Sequence, residues 1–161
     1  MNAADTEILA RIAPSSVRRA FATGVLGGLG LLLELLAFLR PPASLPLQLM
    51  LIAIGVVALI LCLKLFAATG RELVLSTEAL TDTDGRVVAA LDEIRKVERG
   101  VFAFKPSNGF VLHLKDSRPG AWAPGLWWRM GRRVGVGGVI SGAEGRAMAD
   151  LIAAVIARRG G

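Results

Sequence analysis

The chain has 161 residues, a formal net charge of +6 and 53% hydrophobic residues, with a mean hydropathy of +0.56. This hydrophobic content is high for a soluble protein, and the length suits one domain with or without an appendage. The single cysteine, Cys62, excludes an intrachain disulfide. After residue 70 the chain carries both basic and acidic residues, with an excess of basic ones. This balance gives no reason to expect a nucleic-acid partner.

The first residues predict a short interfacial segment over 1–16. Ile8, Leu9 and Ile12 fall on one face of a helix spanning residues 3–13. Such a helix would lie on the inner membrane surface, and the alternative is a disordered segment. Ser15 or Ser16 suits the start of the helix that follows Pro14.

Two apolar blocks, residues 20–39 and 45–68, each hold about 20 residues or more and are separated by RPPASLP. They predict a transmembrane hairpin over 17–69, with helices over about 18–39 and 45–69. A signal peptide fits the first block poorly, because the block starts late, is long, contains Glu34 and is followed directly by the second block.

Basic residues lie before the first block and around the end of the second. They are Arg11, Arg18, Arg19, Lys64 and Arg71. The connecting loop contains only Arg40. The positive-inside rule therefore predicts that both termini are cytoplasmic.

Small and polar residues within the hairpin are candidates for helix contacts. Gly24 and Gly28 form a GxxxG motif, which predicts close packing on the second helix or on a partner. Glu34 lies six residues from the outer end, about 9 Å deep at 1.5 Å per residue, where it is expected to meet Gln48 or another protein. Lys64, near the inner end, is expected to extend toward the headgroups.

Residues 70–161 predict a separate domain of short strands. RELVLST alternates, a hairpin surrounds Asp84-Gly85, and a further strand includes Val101 and Phe102. FVLHLK alternates again, DSRPG predicts a break, and RRVGVGGVI is the last strand candidate.

A helix is predicted over 142–159. Ser141 and Glu144 form a capping box, and Arg158 and Arg159 suit its C-terminus. Its apolar stripe is formed by Met148, Leu151, Ile152, Val155 and Ile156. The pattern predicts an α+β domain in which this helix covers a bent antiparallel sheet or small barrel of six to seven strands.

The layout resembles that of bacterial membrane-anchored proteins with a pleckstrin-homology-like (PH-like) domain. LVLSTEALTDTDGRVVAALDEIRKVER is similar to their opening hairpin, and VGVGGVISGAEGRAMADLIAAVIARR to their last strand and terminal helix. The family usually has an aromatic residue before Asp-Glu-Ile, where this chain has Leu91. The resemblance implies a bacterial inner-membrane protein that works through protein contacts.

No constellation in the sequence predicts catalysis, a cofactor, a metal or a small-molecule substrate. His113 is the only histidine and is expected at the surface of its strand. The acidic residues Asp82, Asp84, Asp92 and Glu93 lack the ligand spacing of a calcium loop. GVGG at residues 135–138 is not set between a parallel strand and a helix, so it predicts a bend rather than a phosphate loop.

The segment after Gly125 supplies the candidate contact surface: Trp127, Trp128, Arg129, Arg132 and Arg133. Four roles are open for this surface. It could stack nucleic-acid bases, contact lipid headgroups or contact a protein, or one tryptophan could pack in the core beside solvated arginines. The favoured function is a non-catalytic membrane protein that binds a membrane-protein partner or its own copy as an accessory or assembly subunit. The alternative is a sensor that grips anionic lipid through residues 127–133.

Overall fold

The computed structural model of the protein describes residues 7–99 and 106–160. Predictions that fall on residues 1–6, 100–105 and 161, including those for Val101 and Phe102, lie outside the described residues. The described chain contains two long apolar helices, two antiparallel sheets and a C-terminal helix. This arrangement agrees with the predicted combination of a helical hairpin and an α+β domain.

The helices and strands of the described chain are β1 (Ile8–Ile12), α1 (Ser16–Leu39), α2 (Leu45–Ala68), β2 (Leu73–Ser76), β3 (Ala79–Asp82), β4 (Val87–Ala90), β5 (Ile94–Glu98), β6 (Phe110–Ala123), β7 (Trp127–Val136) and α3 (Gly142–Gly160). A 3₁₀ turn at Leu91–Glu93 joins β4 to β5. One sheet has the order β1-β2-β3-β4 and the other the order β5-β6-β7. All neighbouring strands are antiparallel.

The helices α1 and α2 form an antiparallel pair, here called the apolar hairpin. Each contains 24 residues, which is about 36 Å at 1.5 Å per residue. Both are long and apolar enough to cross a membrane with a hydrocarbon core of about 30 Å. Pro46 lies in the first turn of α2, where its missing N–H breaks no helical hydrogen bond.

The helices approach each other at glycines other than the predicted pair. Gly27 and Gly30 lie against side chains of α2, whereas Gly24 and Gly28 have open space where a side chain would stand. Of the two predicted contacts of Gly24 and Gly28, the one with the second helix is therefore not formed, and the one with a partner stays a prediction. Residues 27, 30 and 34 share the seam because they are three and four positions apart, and residues 24 and 28 lie about 100° away around the helix.

Residues 8–12 form strand β1, and the predicted interfacial helix over residues 3–13 is wrong. β1 pairs with β2, with Ile12 opposite Leu73 and Ile8 opposite Ser76. The sequence ILARI suits both helical and strand spacing, and the unpaired edge of β2 decides in favour of a strand. The apolar hairpin is therefore an insertion between two paired strands of one sheet.

The core lies between the two sheets and α3, which packs on β1, β5 and β6. Met148 and Ile152 of the predicted helical stripe are buried, and Val155 and Ile156 are partly buried, whereas Leu151 is exposed. The other large side chains fully enclosed in this domain include Ile12, Leu73, Leu75, Leu80, Leu91, Ile94, Phe110, Leu112, Leu126 and Ile140.

β6 and β7 form a long ribbon that bends back on itself. The predicted break at DSRPG is wrong, because β6 continues through residues 116–120 with shifts in pairing register. β7 turns at Gly131, whose φ of 58° favours glycine. The indole of Trp128 consequently lies against Gly135, seven residues further along the same strand.

Candidate functional site

The bend in the β6–β7 ribbon separates the residues of the predicted contact surface. Trp127 is 2% exposed and belongs to the core, and its indole nitrogen has no hydrogen-bond partner among the described residues. Trp128 is half-buried over Gly135. Only Arg132 and Arg133 remain exposed, so these side chains do not form one Trp/Arg surface.

Arg129 connects the two sheets. Its Nε donates a hydrogen bond to the carbonyl of Pro119 at 3.0 Å, and its Nη1 donates to the carbonyls of Val87 and Val88 at 3.0 and 3.2 Å. The guanidinium thus satisfies backbone acceptors of β4 and β6 at once. Its Nε and Nη1 donors are occupied within the fold, which gives this side chain a structural role.

We expect Arg129→Ala to lower the free energy of unfolding by about 1.5 kcal/mol, because three hydrogen bonds are lost. This is the low end of the range for hydrogen bonds from a charged donor, since the side chain is only partly buried. Thermal unfolding of the full chain in detergent measures the change. Arg132→Ala, three residues along the same strand and exposed, is the matched control and should change stability by less than about 0.5 kcal/mol. Equal effects of the two substitutions would contradict the bracing role of Arg129.

Two large apolar side chains outside the predicted set are exposed on the same ribbon. Trp122 is 56% exposed and Met130 is 73% exposed. They line an open hollow of about 700 Å³, here called the partner groove. Its walls are formed by Gly120, Ala121, Trp122, Trp128, Arg129 and Met130.

The partner groove lies beside the end of the apolar hairpin. The turn between β6 and β7 packs at Gly125 against Leu65 and Thr69 of α2 and its C-terminal cap. The carbonyl of Gly125 accepts a hydrogen bond from the Val139 N–H at 2.9 Å. Trp122 also shares a second hollow with Lys64 of α2. The groove therefore has a fixed position close to the helix ends.

The start of α1 is bound to the same part of the domain. Ser15 lies at the cap position of α1, and its backbone N–H donates a hydrogen bond to the carbonyl of Val139 at 2.9 Å. Its side chain makes no capping hydrogen bond. Arg18 donates to the carbonyl of Ile140 at 2.8 Å. Arg19 stacks on Phe66 of α2, 4.2 Å from the ring centre. Both helices are thus fixed to the domain by direct contacts, and not by a flexible linker.

His113 is half-buried and bound to Glu98, with Nε2 2.6 Å from Oε2. The hydrogen bond from His113 lowers the pKa of Glu98 below its ordinary value, with help from the nearby charges of Lys96 and Arg133. The imidazole therefore has a carboxylate partner on the neighbouring strand β5.

The predicted acidic cluster is divided among structural roles. Oδ1 of Asp82 accepts the N–H groups of Asp84 and Arg86 within the tight turn, and Asp84 pairs with Arg71 at 2.7 Å. Among residues 7–99 and 106–160, no three His, Cys, Asp or Glu side chains are grouped so as to hold a metal ion.

The polar residues of the hairpin do not pair as predicted. The expected contact between Glu34 and Gln48 is not formed, because the Gln48 amide donates to the carbonyl of Ala37 at 3.0 Å. The other expected contact of Glu34, with another protein, stays a prediction. Glu34 lies against Gly55, and its enclosed Oε1 has no hydrogen-bond partner in the described chain. Lys64 is exposed at the domain end of α2.

No family model, curated protein or solved structure matches this chain.

The predicted contact surface did not include Trp122, which lies outside residues 127–133, or Met130, which lies within that segment but is neither aromatic nor basic. One signal was present: Trp122 precedes Pro124-Gly125, which marks a tight turn. In a two-stranded ribbon around that turn, Trp122 stands opposite Trp128. Cross-strand pairing around the turn would have identified this surface.

Proposed function

We propose that the chain is a non-catalytic integral protein of a bacterial inner membrane, whose domain binds a second membrane protein through the partner groove. In this proposal both hairpin helices cross the bilayer. The basic residues at the domain ends of the helices, including Arg18, Arg19 and Lys64, support a cytoplasmic domain, since the connecting loop contains only Arg40.

A PH-like fold is part of the same proposal. Seven described strands in antiparallel sheets of four and three, followed by α3, support it. α3 packs across strands of both sheets, as the resemblance implies for a terminal helix. The resemblance of residues 73–99 to the opening hairpin of that family, and of residues 134–159 to its last strand and terminal helix, supports the same proposal.

The single observation that carries the binding function is the exposure of Trp122 and Met130 on neighbouring strands. Aromatic residues and methionine are enriched at protein interfaces, and Trp122 and Met130 line one hollow together. The partner groove lies beside the end of α2, and in this proposal that end is at the membrane surface. The expected occupant is therefore an apolar segment of another membrane protein, at the point where that segment leaves the bilayer.

A second contact within the membrane is supported by the open face of α1. Gly24 and Gly28 have no neighbour within 4 Å where a side chain would stand, so a helix of the partner, or of a second copy, can approach the α1 backbone there. Together the two surfaces suit an accessory or assembly subunit of a membrane complex.

Site-specific photo-crosslinking in intact cells tests the partner groove. A photoreactive amino acid at position 130 or 122 should give one discrete protein adduct, and the same probe at Leu151, exposed on α3, is the control and should not. The protein identified should co-purify with the unmodified full chain. Trp122→Ala combined with Met130→Ser should reduce its recovery at least about tenfold, because each truncated anchor costs roughly 1 kcal/mol or more.

Two results would exclude this function. One is labelling of lipid alone at positions 122 and 130, which would assign the groove to the bilayer surface. The other is an adduct of equal yield at position 151, which would show that the labelling is not specific to the groove.

A further inference from the structure

A second, basic hollow of about 340 Å³ lies where α2 meets the domain. It is enclosed by the end of α2, the residues after the β3–β4 turn and the start of the β6–β7 turn. Its walls are formed by Lys64, Ala67, Ala68, Arg71, Arg86, Trp122, Ala123 and Pro124, and it is called the basic hollow below.

Three cationic side chains line the basic hollow. Arg71 pairs with Asp84 at 2.7 Å and is half-buried. Lys64 and Arg86 are both exposed, and neither forms a salt bridge with another residue of the described chain. Two carboxylates lie nearby, Asp84 on Arg71 and Asp82 on the backbone N–H of Arg86. Three cations against two carboxylates leave a positive charge that suits a phosphate group.

An apolar track runs from the basic hollow along α2. Ile60 and Val57 lie four and seven positions before Lys64, on the same face of the helix, and both are exposed. Trp122 stands at the other side of the hollow, and tryptophan is the residue that prefers the headgroup level of a bilayer. A ligand that fits both parts has a phosphate at one end and hydrocarbon at the other.

We propose that the basic hollow binds the phosphate headgroup of an anionic phospholipid, whose acyl chains lie along α2 over Ile60 and Val57. Basic recesses at the membrane-facing ends of helices bind such headgroups by the same combination of charge and apolar contact. The lipid contacts Lys64, Arg71 and Arg86, none of which lines the partner groove. The proposal rests on the membrane-spanning hairpin of the proposed function, and Trp122 lines both hollows. Loss of the lipid in variants of Lys64 and Arg86, with partner recovery unchanged, distinguishes the two sites.

Native mass spectrometry of the full chain in mild detergent tests the site. Phosphatidylglycerol is added as the anionic probe and phosphatidylcholine as the neutral one. We expect one retained phosphatidylglycerol and at least about tenfold weaker retention of phosphatidylcholine. Lys64→Gln and Arg86→Gln should each weaken retention about fivefold, and their combination about 25-fold. Lys64→Arg with Arg86→Lys, which keeps the charges, should restore retention.

The matched control is Arg132→Gln with Arg133→Gln, which removes the same charge from exposed positions of β7 outside the hollow and should leave retention unchanged. Competition by soluble glycerol phosphate or inorganic phosphate separates a lipid from a free anion. A hundredfold excess of either should not displace the lipid. Displacement by soluble phosphate, equal retention of the two lipids, or equal loss in the control variant would each overturn the proposal.

Discussion

Replacing Ile12 with alanine is expected to lower the free energy of unfolding by about 2–5 kcal/mol, the range for truncating a buried isoleucine. Ile12 is 1% exposed and packs in the core between the sheets. It is also the last residue of β1, opposite Leu73 of β2, so it holds the pair of strands from which the hairpin helices leave. The cavity left by alanine would therefore weaken both the core and the junction.

Ile8→Ala is the matched control for Ile12→Ala, because Ile8 lies on the same strand and is exposed. It should change stability by less than about 0.5 kcal/mol. Thermal unfolding of the full chain in detergent, followed by circular dichroism, compares the two. Equal effects would mean that β1 is not anchored in the core. A fragment that begins at Arg71 lacks β1 altogether, so binding experiments require the full chain.

Replacing Gly135 with valine is expected to lower the free energy of unfolding by about 3 kcal/mol, the upper part of the range for overpacking. A Cβ at this position would overlap the indole ring of Trp128. The nearest atoms of the indole, Cε2, Nε1 and Cζ2, belong to a rigid ring and cannot move independently of one another. Valine has a higher strand propensity than glycine, so a loss of stability would arise from packing alone.

A double-mutant cycle with Trp128→Ala separates this contact from other effects of the substitution. In the background of Trp128→Ala the obstacle is removed, and Gly135→Val should cost at least about 1.5 kcal/mol less than in the unmodified chain. Gly120→Val is the matched control, since a Cβ there meets only the carbonyl of Arg129 at an ordinary distance of 3.7 Å. An additive cycle would contradict the bend of the β6–β7 ribbon.

The elements with a strong and long signal could be predicted from the sequence. The two apolar blocks fix both hairpin helices by length and composition. Asp84-Gly85 predicts the β3–β4 turn, and Gly85 has the positive φ of 79° that such a turn needs. The spacing of Met148, Ile152 and their neighbours predicts α3. Each of these signals is local, so no knowledge of distant contacts was needed.

β1 and the candidate site depend on contacts between distant segments. ILARI became a strand because β2, on the far side of the hairpin, offers an open edge. The order of residues in WWRMGRR does not tell which tryptophan enters the core or that Arg129 reaches the carbonyls of β4. Lys64, Arg86 and Trp122 are widely separated in sequence, and only the folded chain brings them to one hollow.

The insertion of the hairpin between paired strands also constrains how the protein is made. β1 is translated before both helices, and its partner β2 after them. The two strands can pair only on the same side of a bilayer, so either both helices cross or neither does. An intermediate with a single crossing leaves Ile12 and Leu73 on opposite sides and the four-stranded sheet without its edge. In the proposed topology, where both helices cross, this sheet can be completed only after the second crossing, so folding of the domain follows membrane insertion.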